Sequence, residues 1–302
     1  MRIGIDLGGT KTEIIALDRS DGREIYRKRI PTARQDYDSV VRSLAGLAHE
    51  AETALGRTGT VGVGIPGAIS FRTGLIKNAN LQILNGHKLD ADLGAALGRV
   101  VRCSNDANCL AVSEAVDGAA AGCAVVFAAI LGTGCGSGIA LNGKVWDGLN
   151  RVAGEWGHNP LPWMTAAEYP GPPCWCGLKG CQELYLSGTG FETDYQAHAQ
   201  KKLSGSDIVE QMRQGAPEAQ ACFDRYVDRL ARALTNIINI LDPDAIVLGG
   251  GMSNVDELYT RLPAVLPAFV FGGEAATPVL KNKHGDSSGV RGAAWLFSEA
   301  RL

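Results

Sequence analysis

The chain lacks an apolar run of membrane length. No charged residue occurs between Gly118 and Gly143, yet the continuous apolar part covers only 119–131 and is broken by Gly122. A span needs roughly 18 residues, so a helix tail feeding a buried strand is expected there instead. A basic excess is also missing: 29 Lys and Arg stand against 32 Asp and Glu, a net charge of −3. Nothing therefore points to a nucleic-acid partner or an anionic membrane surface. The opening residues 1–9 contain no apolar targeting segment, and a cytoplasmic location is the expectation. Low-complexity tails and charge blocks are absent.

Two residue types are abundant, with 39 glycines and 8 cysteines among 302 residues. The glycines follow no three-residue period, which excludes collagen, and a chain that is 45% hydrophobic is no flexible linker. They belong at turns and close approaches inside folded structure. The length suggests two domains at roughly 150 residues each. The cysteines span positions 103–222 with no secretory features, favouring a reduced compartment and metal or core roles.

Hydrophobic periodicity predicts strands over Arg2–Leu7, Thr12–Leu17, Glu24–Ile30 and Val61–Ile65, and a helix over Tyr37–Leu55 stopped by Gly56. Ser104-Asn105-Asp106 opens another helix. A strand at Cys123–Leu131 leads into a turn over 132–138 and a return strand at Ile139–Leu141, echoing the N-terminal unit. Residues 151–189 read as an irregular insert. A long helix over Ala216–Leu241 precedes a buried strand over Asp244–Leu248. Further helices are expected near Val255–Phe269 and Ser288–Glu299. Alternating strands and helices predict a layered α/β fold.

Three glycine clusters follow apolar strands. Asp6-Leu7-Gly8-Gly9-Thr10-Lys11 offers backbone donors to phosphate, with Thr10 and Lys11 as further contacts and Asp6 as a Mg2+ ligand, direct or through water. Gly132, Thr133, Gly134, Cys135 and Gly136 offer uncharged donors, and Gly250 and Gly251 mark a place for an adenosine. A single such turn equally well closes a tight hairpin; three in this setting favour a polyphosphate. Neither a P-loop nor a dinucleotide fingerprint fits, since the 132–138 glycines open a strand rather than a helix. The nucleotide expected is ATP.

Cys174, Cys176 and Cys181 crowd three thiols into eight residues, with His158 upstream. A Cys3His set suits tetrahedral Zn2+ in a structural role; an adventitious cluster or a redox pair is the alternative. The other five cysteines read as core residues. Asp106 is the candidate general base, because phosphorylating an alcohol requires an acceptor for the hydroxyl proton. A helix cap is the competing role for Asn105 or Asp106.

These motifs, together with Gly154-Glu155-Trp156-Gly157-His158, Cys181-x-Glu183 and Leu248–Gly251, occur in the order found in the ROK family of bacterial sugar kinases, which the chain resembles over nearly its whole length. Gly154–Trp163 and His284–Trp295 look most like bacterial fructokinases with mannokinase activity. The resemblance implies a two-lobed actin/hexokinase-like (ribonuclease H-like) α/β fold with a zinc-binding insert. One lobe is expected over 1–117 plus 289–302, and a larger one over 118–288 with the zinc loop at 158–183. It implies Asp106 as catalytic base and Asn105, Asp106, Glu155, His158 and Glu183 as sugar ligands. His158 would bind zinc through one ring nitrogen and face the sugar with the other.

The implied reaction is ATP-dependent phosphorylation of a hexose 6-hydroxyl, D-fructose first and mannose second. Glucokinase and N-acetylhexosamine kinase are the alternatives. A homodimer is expected from resemblance alone. One departure matters: 78–86 reads Asn-Ala-Asn-Leu-Gln-Ile-Leu-Asn-Gly, without the Pro-Gly-Trp found in many glucose-type relatives. A sugar-sensing regulator of the same family needs a DNA-binding domain, for which six residues up to Asp6 leave no expected room. An actin-like ATPase is disfavoured by the Asn105-Asp106 pair and the cysteine insert.

Overall fold

The computed structural model describes residues 1–297. Two compact units emerge: Met1–Ala124 with Gly138–Ala153 and the segment from Lys283 onward, and Val125–Ser137 with Gly154–Asn282.

The first unit opens with β1 (Arg2–Leu7), β2 (Lys11–Leu17) and β3 (Glu24–Pro31); the β-branched residues of β1 and β2 are buried, while β3 has no buried residue. Helix α1 (Tyr37–Leu55) begins where Asp36 accepts from the Ser39 N–H at 2.6 Å and ends at Gly56, with φ of 64°. Its stripe of Val40, Leu44, Leu47, Ala48 and Ala51 is buried. Then follow β4 (Thr60–Ile65), the short pair β5 (Ala68–Ile69) and β6 (Ile76–Lys77), α2 (Leu89–Leu97), β7 (Val101–Asn105) and α3 (Asp106–Val116).

The sheet order is β3-β2-β1-β4-β7. Strands β1, β4 and β7 run parallel, with Asp6 opposite Gly64 and Ile65 opposite Asn105. Asp6 and Asn105 therefore stand at the carboxyl ends of parallel strands, where open α/β sheets bind ligands.

In the second unit, β8 (Val125–Leu131) is fully apolar. Strand β9 (Cys135–Leu141) carries the chain back to the first unit, where its end pairs with β10 (Lys144–Val145). The second unit then builds α4 (Glu183–Leu186), α5 (Gly188–Ala199), α6 (Gly205–Arg213) and α7 (Pro217–Leu241). Next come β11 (Ala245–Gly249), α8 (Glu257–Val265) and β12 (Val279–Lys281). Strand β11 lies parallel between β8 and β12. Helix α7 starts on Pro217 and buries Phe223, Tyr226, Val227, Leu230, Leu234 and Ile238 against α4, α5, α6 and α8. The closing helix, α9 (Ser288–Trp295), packs on α3, β1 and β4. Positions 298 and 299 of the helix expected over Ser288–Glu299 lie outside the described residues.

Three expectations change. Strand β9 starts at Cys135, so the turn is much tighter than 132–138. The insert over 151–189 contains a 3-10 turn at Trp156–His158 and helix α4. Gly138–Ala153 belongs with the first unit, not with the second as in the 118–288 division. The cause of the last is local: Gly138 lies directly against the Ala107 carbonyl, and β10 packs on α3.

Candidate active site

Asn105 and Asp106 sit at the junction of β7 and α3. Asn105 is the cap: its Oδ1 accepts from the Asn108 N–H at 2.7 Å. Asp106 is the first helical residue, and its Oδ1 accepts from the Ala107 N–H at 2.8 Å. The cap role expected of one of the two therefore falls to Asn105, which leaves its amide N–H groups as donors. Asp6 stands at the end of β1 with its carboxylate against Gly64 and Gly289. Burial, then the charges of Asp106 and Glu13, push its pKa up to about 6. The first unit thus places two interacting carboxylates at the carboxyl end of its sheet.

The Gly8–Lys11 turn beside Asp6 is held in shape by Thr32. The Thr32 hydroxyl donates to the Gly8 carbonyl at 2.7 Å and its N–H to the Thr10 carbonyl at 3.0 Å. Gly8 donates its own N–H to Lys11 O, while Gly9, Thr10 and Lys11 are exposed.

In the second unit the other two glycine clusters meet. Gly250 lies against the backbone of Leu131 and Gly132. Both line a cavity of about 390 Å3 together with Gly251, Met252, Val209, Ser204 and Arg213. Cys135 is placed differently from expectation: its N–H donates to Glu183 Oε2 at 3.1 Å, so a carboxylate occupies this donor. Gly132 likewise spends its N–H on the Gly134 carbonyl. The cavity residues contributed by α6 were absent from the sequence reading. Their signal was the capping pattern Ser204-x-x-Asp207, in which the Ser204 hydroxyl accepts from the Asp207 N–H.

The sulfur and imidazole donors of His158, Cys174, Cys176 and Cys181 all lie within 4.8 Å of one another. Around a tetrahedral ion with Zn–S near 2.3 Å, neighbouring ligands sit about 3.8 Å apart. The Cys174 Sγ to His158 Nδ1 distance is 3.7 Å and that between Cys176 and Cys181 Sγ is 3.6 Å. The donor set therefore fits Zn2+ in both chemistry and spacing. Burial and the neighbouring thiols push Cys181 up to about 12, while the backbone donor at Leu178 lowers Cys176. Three thiols this close cannot all ionise without a cation between them. Of the other five cysteines expected in the core, Cys109, Cys135 and Cys222 are buried, whereas Cys103 and Cys123 are half-buried.

His158 closes a 3-10 turn on which Gly157 has no room for a side chain, because a Cβ would overlap the Cys135 carbonyl. Its Nδ1 faces the cysteines, so Nε2 is the nitrogen left to face a ligand. Glu155, one residue before that turn, is exposed. Glu183 opens α4 and is half-buried. Trp175, which sequence reasoning passed over, donates its Nε1–H to Glu183 Oε1 at 2.8 Å.

The architecture and these motifs agree with known proteins. The ROK family model matches residues 2–300. An N-acetyl-D-glucosamine kinase of Yersinia pseudotuberculosis is 42% identical over 300 residues, covering 98% of each chain. The crystal structure of a ROK hexokinase from Thermus thermophilus superposes with a TM-score of 0.86 at 30% identity, over 98% of this chain and 97% of that one. A ROK family glucokinase from Streptomyces griseus, solved with glucose and AMPPNP, gives a TM-score of 0.75 at 26% identity, over 97% of both chains. On a family match over residues 2–300, the chain belongs to the ROK family.

Proposed function

We propose that this chain is an ATP-dependent kinase of the hexose 6-hydroxyl. The observation that carries this reading is the carboxylate pair at the sheet end: Asp106 on the first turn of α3 and Asp6 electrostatically coupled to it. Asp106 is the base. It takes the proton of the 6-hydroxyl as that oxygen bonds to the γ-phosphorus, the bond to ADP breaks, and the proton later leaves to water. Asp6, Thr10 and Lys11 hold the phosphate side. Mg2+, when bound there, supplies neutralisation of the phosphate charge. Gly132, Thr133, Gly134, Gly136, Gly250 and Gly251 flank the nucleotide, whose adenosine is matched in size by the 390 Å3 cavity.

Asn105, Glu155, His158 and Glu183 bind sugar hydroxyls. The Cys3His set would hold Zn2+ with no open ligand position, so its contribution is to fix the loop carrying His158 and leading to Glu183.

Two acceptors compete. The relative at 42% identity is an N-acetyl-D-glucosamine kinase, which favours an N-acetylhexosamine. The Gly154–Trp163 and His284–Trp295 segments favour D-fructose, with mannose second. The deciding experiment is a panel of fructose, mannose, glucose and N-acetylglucosamine at fixed ATP and Mg2+, read by coupled ADP release. Sugar-dependent ADP release supports the kinase and ranks its acceptors. Hydrolysis of ATP that ignores every sugar overturns it.

A further inference from the structure

An exposed tryptophan inside a metal-binding loop requires a reason. Trp175 lies between Cys174 and Cys176 and is 73% exposed, so burial does not hold it there. Its contacts are specific. The indole Nε1–H donates to Glu183 Oε1 at 2.8 Å. The ring meets the His158 imidazole edge-on, with centroids 4.7 Å apart and planes at 89°. The other Glu183 oxygen, Oε2, accepts from the Cys135 N–H at 3.1 Å.

We infer that Trp175 is a positioning residue that fixes the Glu183 carboxylate for the hexose. The inference rests on Glu183 being a hexose ligand. A glutamate has three side-chain torsions, and one bond to the Cys135 backbone leaves the carboxylate free to swivel. A second bond from the opposite side fixes its plane. An ionised carboxylate has about four acceptor positions, so two remain for sugar hydroxyls after Trp175 and Cys135 are served. Because the indole is anchored in the cysteine loop and braced by His158, the loop sets the carboxylate's orientation as well as the imidazole's.

Preorganisation of this kind acts on binding. Without the indole donor, Glu183 must lose rotamer freedom when the sugar arrives, and affinity falls while the chemical step is untouched. W175F keeps an aromatic ring for His158 and removes only the N–H. Hydrogen bonds to charged groups are among the stronger ones, so the hexose KM of W175F should rise about tenfold. Its kcat should stay within about twofold, its KM for ATP should not move, and its zinc content should match wild type. An unmoved hexose KM in an active enzyme overturns the inference. Loss of zinc from W175F overturns it too, because Trp175 would then be part of the loop's scaffold. If wild type phosphorylates no hexose in the panel, the kinase reading itself falls, an outcome seen before any variant is made.

Discussion

Asp106 raises the proton affinity of Asp6: together with burial, its negative charge lifts the Asp6 pKa to about 6. Burial is the larger cause and the Asp106 charge the next, so substitution of Asp106 changes the titration of Asp6. Asp106→Asn keeps the size of the side chain and removes the proton acceptor. Turnover should fall by about 10^3-fold or more, since a positioned base contributes roughly 10^2 to 10^4. The far-ultraviolet spectrum and melting temperature should be retained. Activity within tenfold of wild type removes Asp106 from the mechanism.

On the proposed reading, Asp6 should give the reaction an acid limb. The phosphate-side role proposed for it needs the ionised form, so kcat/KM for MgATP should decline as pH falls through about 6. In Asp106→Asn the largest charge acting on Asp6 is gone, so its pKa should fall, while burial still holds it above the ordinary value of 3.8. The stability effect runs the other way. A folded-state pKa above the unfolded one means that the native state binds the proton more tightly. That stabilisation is complete below pH 3.8 and is lost as pH rises through about 6. At pH 7.5 without Mg2+, Asp6→Asn should therefore be more stable than wild type, by at most about 3 kcal/mol. Urea unfolding at pH 7.5 and pH 4 checks this: the advantage should shrink at the lower pH.

How far the sequence carries depends on whether the signals are local. Helix α1 was legible to the residue because its cap at Asp36, its apolar stripe and its Gly56 stop all lie within the helix or beside it. The helix start at Asn105-Asp106 was legible for the same reason. Strand β9 was misjudged because Cys-Gly-Ser-Gly reads as a turn; Gly138 instead admits the backbone of Ala107 and Asn108 as close neighbours. Helix α5 begins Gly-Thr-Gly and shows no clear apolar stripe, so only its Ser187 cap announces it. The Cys135 N–H was expected on a phosphate and is spent on Glu183, a partner 48 residues away in sequence. No pattern along the chain reports such a pairing, nor that of Trp175 with the same carboxylate.

The cysteine insert is also tied to α7 by ions. Glu168 accepts from Arg229 at 2.7 Å and from Arg232 at 2.9 Å, and Arg229 also reaches Asp194 at 2.7 Å, all in buried settings. Burial alone would raise the Glu168 pKa, but the Arg232 and Arg229 hydrogen bonds win and hold it at about 2. A depressed carboxylate stabilises the fold above its unfolded value of 4.5, and the contribution is lost as pH falls through about 2. Glu168→Gln leaves two buried guanidinium groups short of a counter-charge and should cost about 3–5 kcal/mol at pH 7. Chemical denaturation at neutral pH measures the loss. The gap between variant and wild type should close on acidification below pH 4.5, and a gap independent of pH would refute the ionic explanation.

Cys176 offers the clearest test of the metal. It is the exposed member of the four donors, so replacing its sulfur by oxygen disturbs no core packing. If Cys176 serves only as a surface thiol, Cys176→Ser should be silent. If the four donors hold Zn2+, three ligands remain and affinity collapses, because hydroxyl oxygen is a poor substitute for thiolate on this ion. Elemental analysis should then find about one zinc per wild-type chain and far less in the variant. Metal binding to the folded state alone adds to folding free energy, so the variant's melting temperature should fall by several degrees. A chelator should bring wild type down to the variant's value and leave the variant unmoved. The hexose KM should rise in both cases, since His158 and, through Trp175, Glu183 both take their orientation from this loop. Zinc-free wild-type protein with full stability and an ordinary KM would refute the metal centre.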